Sequence, residues 1–260
     1  MATKFSVAVK SDAYQNLINT TLGNKEVART FVADIMTVVS QNPALQECDP
    51  ASILSAGLMA QTLKLSLSQS LGYCYVLPFK NKNGLPKATF QLGYKGLIQL
   101  AQRSGQFRRL GVREVHEGEY IGQDEVGDDL FKFSHEFDSK PVVGYFAYFE
   151  LLNGFKKTMY WTVEQCKAHA KRYSRSYGNG KGTDLWSEQF SLMAEKTVLK
   201  LLLNRYAPLS VELQKAVLAD QAVIKEDGSM EYVDNVNEES DTKTNFDVPQ
   251  IPNEDTGEIN

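Results

Sequence analysis

The sequence predicts an α+β fold, a mostly antiparallel sheet with packed helices, ending in an acidic disordered tail. Three observations carry that expectation. Asn83-Gly84 and Asn153-Gly154 each sit between two strand-like segments, and Asn-Gly is the dipeptide of tight hairpins. Apolar residues recur at helical spacing in the segments between and around those hairpins. The element order over residues 73–117 reads strand, strand, helix, strand, a β-β-α-β core.

Taken in order, residues 24–41 carry Val27, Phe31, Ile35, Val38 and Val39 on one helical face, with Asn24 as N-cap. Asp49-Pro50 supplies a cap and an N1 proline for a helix through Ile53, Leu54, Gly57, Leu58, Gln61 and Leu65. Residues 73–79 are aromatic and β-branched, and with residues 87–93 they form the first hairpin, its tip carrying Lys80, Lys82 and Lys87. Residues 94–103 form a helix that Ser104-Gly105 ends, and residues 106–117 form a strand. A glycine-punctuated acidic connector leads to an expected strand over 130–137, then to a second hairpin from residues 142–152 and 155–161. Thr162 with Gln165 makes a capping box for a helix to Tyr173, and a basic loop over 174–182 precedes the last strong helix, residues 184–205. In that helix Phe190, Met193, Thr197 and Leu201 are expected to face one way, with Lys196, Lys200 and Asn204 on another side.

Charge divides the chain more sharply than its net value of −4 suggests. Residues 1–211 hold 25 lysines and arginines against 19 acids, whereas residues 212–260 hold 3 against 13. The division is therefore expected near residue 210, a body of 1–210 followed by a tail of 211–260, disordered beyond about residue 224. Within the body, Lys80, Lys82, Lys87, Lys95, Arg103, Arg108, Arg109 and Arg113 fall in an acid-free run over 80–113. Residues 114–138 then carry nine acids against the single base Lys132. A second basic region holds Lys167, Lys171, Arg172, Arg175, Lys181, Lys196, Lys200 and Arg205. Both basic runs are interleaved with aromatics, among them Tyr73, Tyr75, Tyr173 and Trp186. Cations neutralise phosphates and aromatic faces stack bases, so two such runs are what a single-strand groove needs, although most of these rings also suit a core.

Composition excludes other classes. No segment has the roughly 20 apolar residues that a bilayer span requires, and residues 1–10 lack the apolar stretch of a signal peptide. Cys48, Cys74 and Cys166 are odd in number and scattered, which fits a reducing cytoplasm, that of a bacterial host. Gly178, Gly180 and Lys181 approximate a P-loop, but Arg175 stands where its first glycine belongs and Gly182 where Mg²⁺ ligation needs Ser or Thr. No nucleotide cofactor is expected, and Mg²⁺ enters at most as a modulator of DNA binding. His116, His135 and His169 lack zinc-site spacing. Gly93-Tyr94-Lys95-Gly96 opens a helix directly after a strand, and two readings stand: Gly93 and Gly96 admit a phosphate to free amides, or they only serve the tight turn. Two rival functions also stand. One is a Mg²⁺-dependent nuclease using the 114–138 acids, the other a sequence-specific duplex regulator with a recognition helix.

Five separated blocks carry a resemblance. They are Cys48-Asp49-Pro50, then Leu71-Gly72-Tyr73-Cys74-Tyr75-Val76-Leu77-Pro78-Phe79, then Gln91-Leu92-Gly93-Tyr94-Lys95-Gly96-Leu97, then Arg103-Ser104-Gly105, and last Trp186 followed by Met193-Ala194-Glu195-Lys196-Thr197. Over residues 48–208 the chain resembles the phage RecT single-strand annealing recombinases. That resemblance implies an ATP-independent protein that coats single-stranded DNA as a homo-oligomer, in rings or helical filaments, and anneals it to a complementary strand. It implies a core related to other annealing proteins, a 5′ to 3′ exonuclease as partner, and a tail that engages a host single-strand binding protein. Lys95, Arg103, Lys196 and Lys200 would line the DNA groove, with the first hairpin close by. The expected DNA-binding set is Lys80, Lys82, Lys87, Lys95, Arg103, Arg108, Arg109, Lys171, Arg172, Tyr173, Arg175, Lys181, Lys196, Lys200 and Arg205, with Tyr73, Tyr75, Gly93 and Gly96.

Overall fold

Phe5, Val9 and Ile18 are buried, so the chain is folded almost from its start, in helices α1 (Phe5–Ala8) and α2 (Asp12–Leu22). The computed structural model describes residues 4–79, 85–125, 127–174, 177, 185–225 and 229–232. The expected hairpin tip with Lys80 and Lys82, the loop cations Arg175 and Lys181, and the tail after residue 232 lie outside the described residues.

The capping chemistry places the next helices. Asn24 Oδ1 accepts from the amides of Glu26 and Val27 at 2.8 and 3.2 Å and opens α3 (Lys25–Gln41). Asp49 accepts from the amide of Ala51 ahead of α4 (Pro50–Thr62), with proline at the first helical position, where its missing N–H costs nothing. Phe31 and Ile35 of α3 are buried and pack directly against Gly57 of α4. Strands β1 (Cys74–Phe79) and β2 (Lys87–Leu92) pair antiparallel, with Cys74 opposite Leu92 and Phe79 opposite Lys87. Helix α5 (Tyr94–Arg103) follows, then β3 (Phe107–His116). The β-β-α-β order holds in sequence, but the third strand joins a different sheet.

That second sheet has the order β3-β6-β7, with β6 (Val142–Leu151) and β7 (Lys156–Thr162) joined by the expected turn at Asn153-Gly154. Between β3 and β6 the acidic connector is more ordered than its glycines suggest. It forms a ribbon of β4 (Tyr120–Gln123) and β5 (Asp129–Phe131), because Tyr120 stacks on Tyr160 at 5.4 Å and Phe131 packs on Phe146 at 4.6 Å. The strand expected over 130–137 stops at Phe131. Ser134 caps a 3₁₀ turn at His135–Phe137 instead, its hydroxyl accepting from the Glu136 amide.

The capping box forms as read: Thr162 and Gln165 exchange bonds of 3.2 and 2.9 Å and start α6 (Val163–Tyr173). The last strong helix is split. α7 (Leu185–Glu188) and α8 (Phe190–Tyr206) meet at Gln189, whose φ of −136° and ψ of 53° leave the helical region. α8 packs across β3, β6 and β7 and also touches α5, with Val198, Leu199, Leu202 and Leu203 fully buried. It is closed in on most sides, so the two-faced pattern expected for it does not hold: Lys196 and Thr197 are both buried.

The fold continues past the division expected at residue 210. Ser210 caps α9 (Val211–Ala219), whose Leu213, Ala216 and Ala219 are buried, and α9 packs on β2 and α5. β8 (Ala222–Ile224) then pairs with β2, and β9 (Met230–Tyr232) with β8, completing the four-stranded antiparallel order β1-β2-β8-β9. Alanine and leucine spaced for burial override the acidic average of the segment. Cys48, Cys74 and Cys166 are buried as thiols, and burial pushes them up to about 11, 12 and 12, so they stay protonated.

A chain ending at residue 210 strips β2 of its outer partner and exposes the face that α9 covers. It is expected to lose its cooperative unfolding transition, which thermal denaturation followed by circular dichroism measures.

Candidate nucleic-acid interface

The register of β1 and β2 delivers the strand ends to one place, where the chain turns at Gly93 into α5. The Gly93 amide donates to the Tyr73 carbonyl at 2.8 Å, and a methyl group on Gly93 or Gly96 would run into the backbone of Gly72 and Tyr73. Both glycines are therefore needed to let the 72–73 backbone cross the start of α5. The turn sets Lys95 on the exposed side, beside Gly72 and close to where the Tyr75 hydroxyl reaches.

Lys95 and Tyr75 line a hollow of about 380 Å³ with Gln91, Gly93, Met193 and Lys196. A second hollow, of about 200 Å³, is lined by His169, Tyr173, Trp186, Lys200, Asp220 and Gln221, and shares Met193 and Lys196 with the first. The two hollows thus adjoin along α8, with α5 and the β1–β2 edge on one side and α6, α7 and the start of β8 on the other. The two basic runs of the sequence meet here through Lys95 from the first and Lys196, Lys200 and Tyr173 from the second.

The lysines of α8 are not free cations. Asp220, almost fully buried, accepts from Lys196 Nζ at 3.1 Å, from Lys200 Nζ at 2.7 Å and from the Leu92 amide at 2.9 Å. Burial alone would raise the Asp220 carboxyl, but the two ammonium groups and the Leu92 amide outweigh it and hold the group below the usual carboxylate range. Burial, with the neighbouring Lys200 charge, lowers Lys196. Lys196 Nζ is buried with its partner, while Lys200 keeps about a quarter of its side chain exposed toward the hollow. Asp220 had no signal in the sequence beyond its place in the acidic segment, and His169 and Gln221 had none either.

Other expected residues go elsewhere. Arg103 Nη2 donates to the Leu63 carbonyl at 2.6 Å and Nη1 to the Lys64 carbonyl at 3.3 Å, closing the end of α4 above a separate hollow with Glu212. Lys87 pairs with Glu231 at 3.2 Å, beside Lys225 in a hollow against the start of α4. Arg108 and Arg109 converge on Glu150 at 3.2 and 3.8 Å. Arg205 lies over the Tyr206 ring at 5.4 Å, and Lys171 is exposed at the end of α6, where Arg172 lies 5.3 Å from the Tyr173 ring. Tyr73 contributes its carbonyl to the turn and packs its ring against the core.

Several acids of 114–138 are engaged by neighbouring groups. Glu119 is fully buried and accepts from the His116 amide at 2.8 Å and from Arg113 at 3.3 Å, Asp128 pairs with Lys157 at 2.7 Å, and Asp138 with His135 at 2.9 Å. Among the described residues no group of three or more His, Cys, Asp or Glu side chains could hold a metal ion, and no helix is long and apolar enough to cross a membrane. A different acid is tuned by its surroundings: burial first, and then the Glu114 charge, pushes Glu195 of α8 up to about 7.

The class such a chain belongs to is that of recombination proteins of the single-strand annealing kind. The pattern of the RecT family matches residues 29–239, and the chain belongs to the RecT family. It is 40% identical to Uncharacterized protein YqaK of Bacillus subtilis (strain 168) over 212 residues, 81% of this chain and 68% of that protein. It is 34% identical to Protein RecT of Escherichia coli (strain K12) over 198 residues, 75% of this chain and 71% of that one.

Asp220→Ala leaves Lys196 buried without its counter-charge. It is expected to cost about 3–5 kcal/mol, the scale for breaking a buried ion pair from one side, measured by urea unfolding. For Glu195 the folded pKa of about 7 lies above the ordinary 4.5, so its contribution to stability is fully present below about pH 4.5 and is lost as pH rises through about 7. Glu195→Gln mimics the protonated form, so its melting temperature should change less than wild type between about pH 5 and pH 8 in thermal denaturation.

Proposed function

We propose that the chain binds single-stranded DNA along the trough on α8 and anneals it to a complementary strand without ATP. The observation that carries this reading is that Lys95, Lys196 and Lys200, which come from two separate basic runs of the sequence, line adjoining hollows with Tyr75 and Tyr173. Annealing without a nucleotide demands a protein that grips sugar-phosphate and leaves base edges available. Cations along a trough supply that grip without reading sequence. Pairing then drives the product, since stacking releases about 1.4 kcal/mol per duplex step on average.

Lys196, Lys200 and Asp220 together carry one net positive charge, so Lys95 and the exposed end of Lys200 dominate the field in the trough. One trough per subunit holds a short stretch of strand, and a homo-oligomer repeats it along the DNA, so affinity grows with the number of engaged subunits. The protein would work on strands exposed by a 5′ to 3′ exonuclease, and its role is that of a binding protein and not of an enzyme.

The test mixes two complementary oligonucleotides with the protein, with Mg²⁺ and without ATP. Faster duplex formation with both strands at full length supports annealing, and shortened strands would identify a nuclease instead. With one labelled strand alone, Lys95→Ala is expected to weaken single-strand binding for every sequence and to flatten the salt dependence by about 0.7 in logarithmic slope, measured by fluorescence anisotropy. A folded variant with the wild-type slope would remove Lys95 from the interface.

A further inference from the structure

The smaller hollow differs in chemistry from the larger one. Three rings gather at it: His169 lies 4.5 Å from Tyr173 and 6.3 Å from Trp186, centroid to centroid. Trp186 is buried and Tyr173 is 40% exposed, so the cluster runs from the interior to the open rim. The cationic charge here is halved, because the Asp220 carboxylate lines the same wall as Lys196 and Lys200 and leaves one net positive charge among the three. A carboxylate in the wall disfavours a phosphate, whereas a planar neutral ring gains from aromatic neighbours at any charge balance.

A second observation points to a polar planar occupant. Gln221 lines the hollow with φ of 67°, a left-handed conformation that costs a non-glycine residue energy, and it is pinned there by its amide, which donates to the Phe90 carbonyl at 2.9 Å. Its carboxamide carries donors and an acceptor of the kind that can hydrogen-bond a base edge. The hollow also shares Lys196 and Met193 with the one that Lys95 lines, so a nucleotide whose phosphate lies near Lys95 has this hollow within its neighbourhood.

We propose that the hollow between α6, α7 and α8 is a nucleobase pocket, taking one unpaired base of the bound strand against Tyr173 and His169. The inference rests on the DNA-binding reading above and deepens it: phosphates lie by Lys95, and one base per subunit turns inward while its neighbours stay open to pairing. Burial, with the charges of Lys200 and Arg172, lowers His169 to about 4, so its ring is neutral at physiological pH and suited to stacking.

The test compares a thymidine oligonucleotide with an abasic oligonucleotide of the same length, which keeps every sugar and phosphate. Binding of each to the full chain is followed by anisotropy at low salt, for wild type, Tyr173→Ala and Tyr173→Phe, with circular dichroism to establish that each variant is folded. Wild type is expected to prefer the thymidine strand by about tenfold, the scale of one stacked base. Tyr173→Ala should bring the two affinities within about twofold of each other, and Tyr173→Phe should restore the preference. Equal wild-type affinities, or a preference that survives in Tyr173→Ala, would overturn the pocket while leaving strand binding intact. Absence of binding to either strand would overturn the DNA-binding reading and the pocket with it.

Discussion

Asp220 joins three parts of the molecule that are distant in sequence. Its carboxylate takes a hydrogen bond from the Leu92 amide at the end of β2 and two charged bonds from Lys196 and Lys200 on α8, and it stands itself between α9 and β8. Removing a carboxylate and an ammonium from water is costly, and the arrangement persists because each buried oxygen has a donor. The consequence is positional. α8 is held against the strand end from which Gly93 and α5 depart, and this fixes the separation between Lys95 and the α8 lysines.

The cations of this chain therefore divide by what they touch. Arg103 serves the end of α4, Arg108 and Arg109 share Glu150, and Lys87 holds Glu231 near the sheet edge. These contacts are partly exposed, and such surface pairs contribute little each to stability. An acid-free run of sequence predicts a positive surface, but not which members will be recruited to organise helix ends and neighbouring strands. Lys95 differs because the close crossing at Gly93 and Gly96 keeps the surrounding backbone tight and leaves its side chain exposed beside the hollow.

Much of the fold was legible because its signals are local. Asn24, Asp49-Pro50, the Thr162–Gln165 box and the Asn153-Gly154 turn act through backbone bonds within a few residues, and each element they start lies where the pattern places it. The ribbon from Tyr120 to Phe131 was hidden because rings from β6 and β7 hold it, not its own glycine-rich composition. The break at Gln189 and the closed environment of α8 were hidden for a related reason: a helix packed on most sides shows no clear apolar stripe. Of the trough, the residue types could be read, since basic and aromatic side chains alternate in both runs. The partner of the α8 lysines could not. Asp220 lies 20 residues beyond Lys200 within a segment whose average charge marks it as tail, and only the pairing of β8 with β2 brings it back.

That return of the chain changes how the acidic segment is understood. One of its carboxylates is structural, and the segment from Val211 to Ile224 adds β8 to the first sheet and closes one wall of the trough. The trough is then a composite. Its cations come from the middle of the chain and its carboxylate from the segment after residue 210, so among the described residues the charge runs from the unpaired cation Lys95 to the partly neutralised cluster at Asp220 over two adjoining hollows. A polyanion with neutral rings attached has the same alternation. A gradient of this kind, rather than a uniformly positive channel, would let a strand be gripped by its phosphates at one point and stack a base at the next.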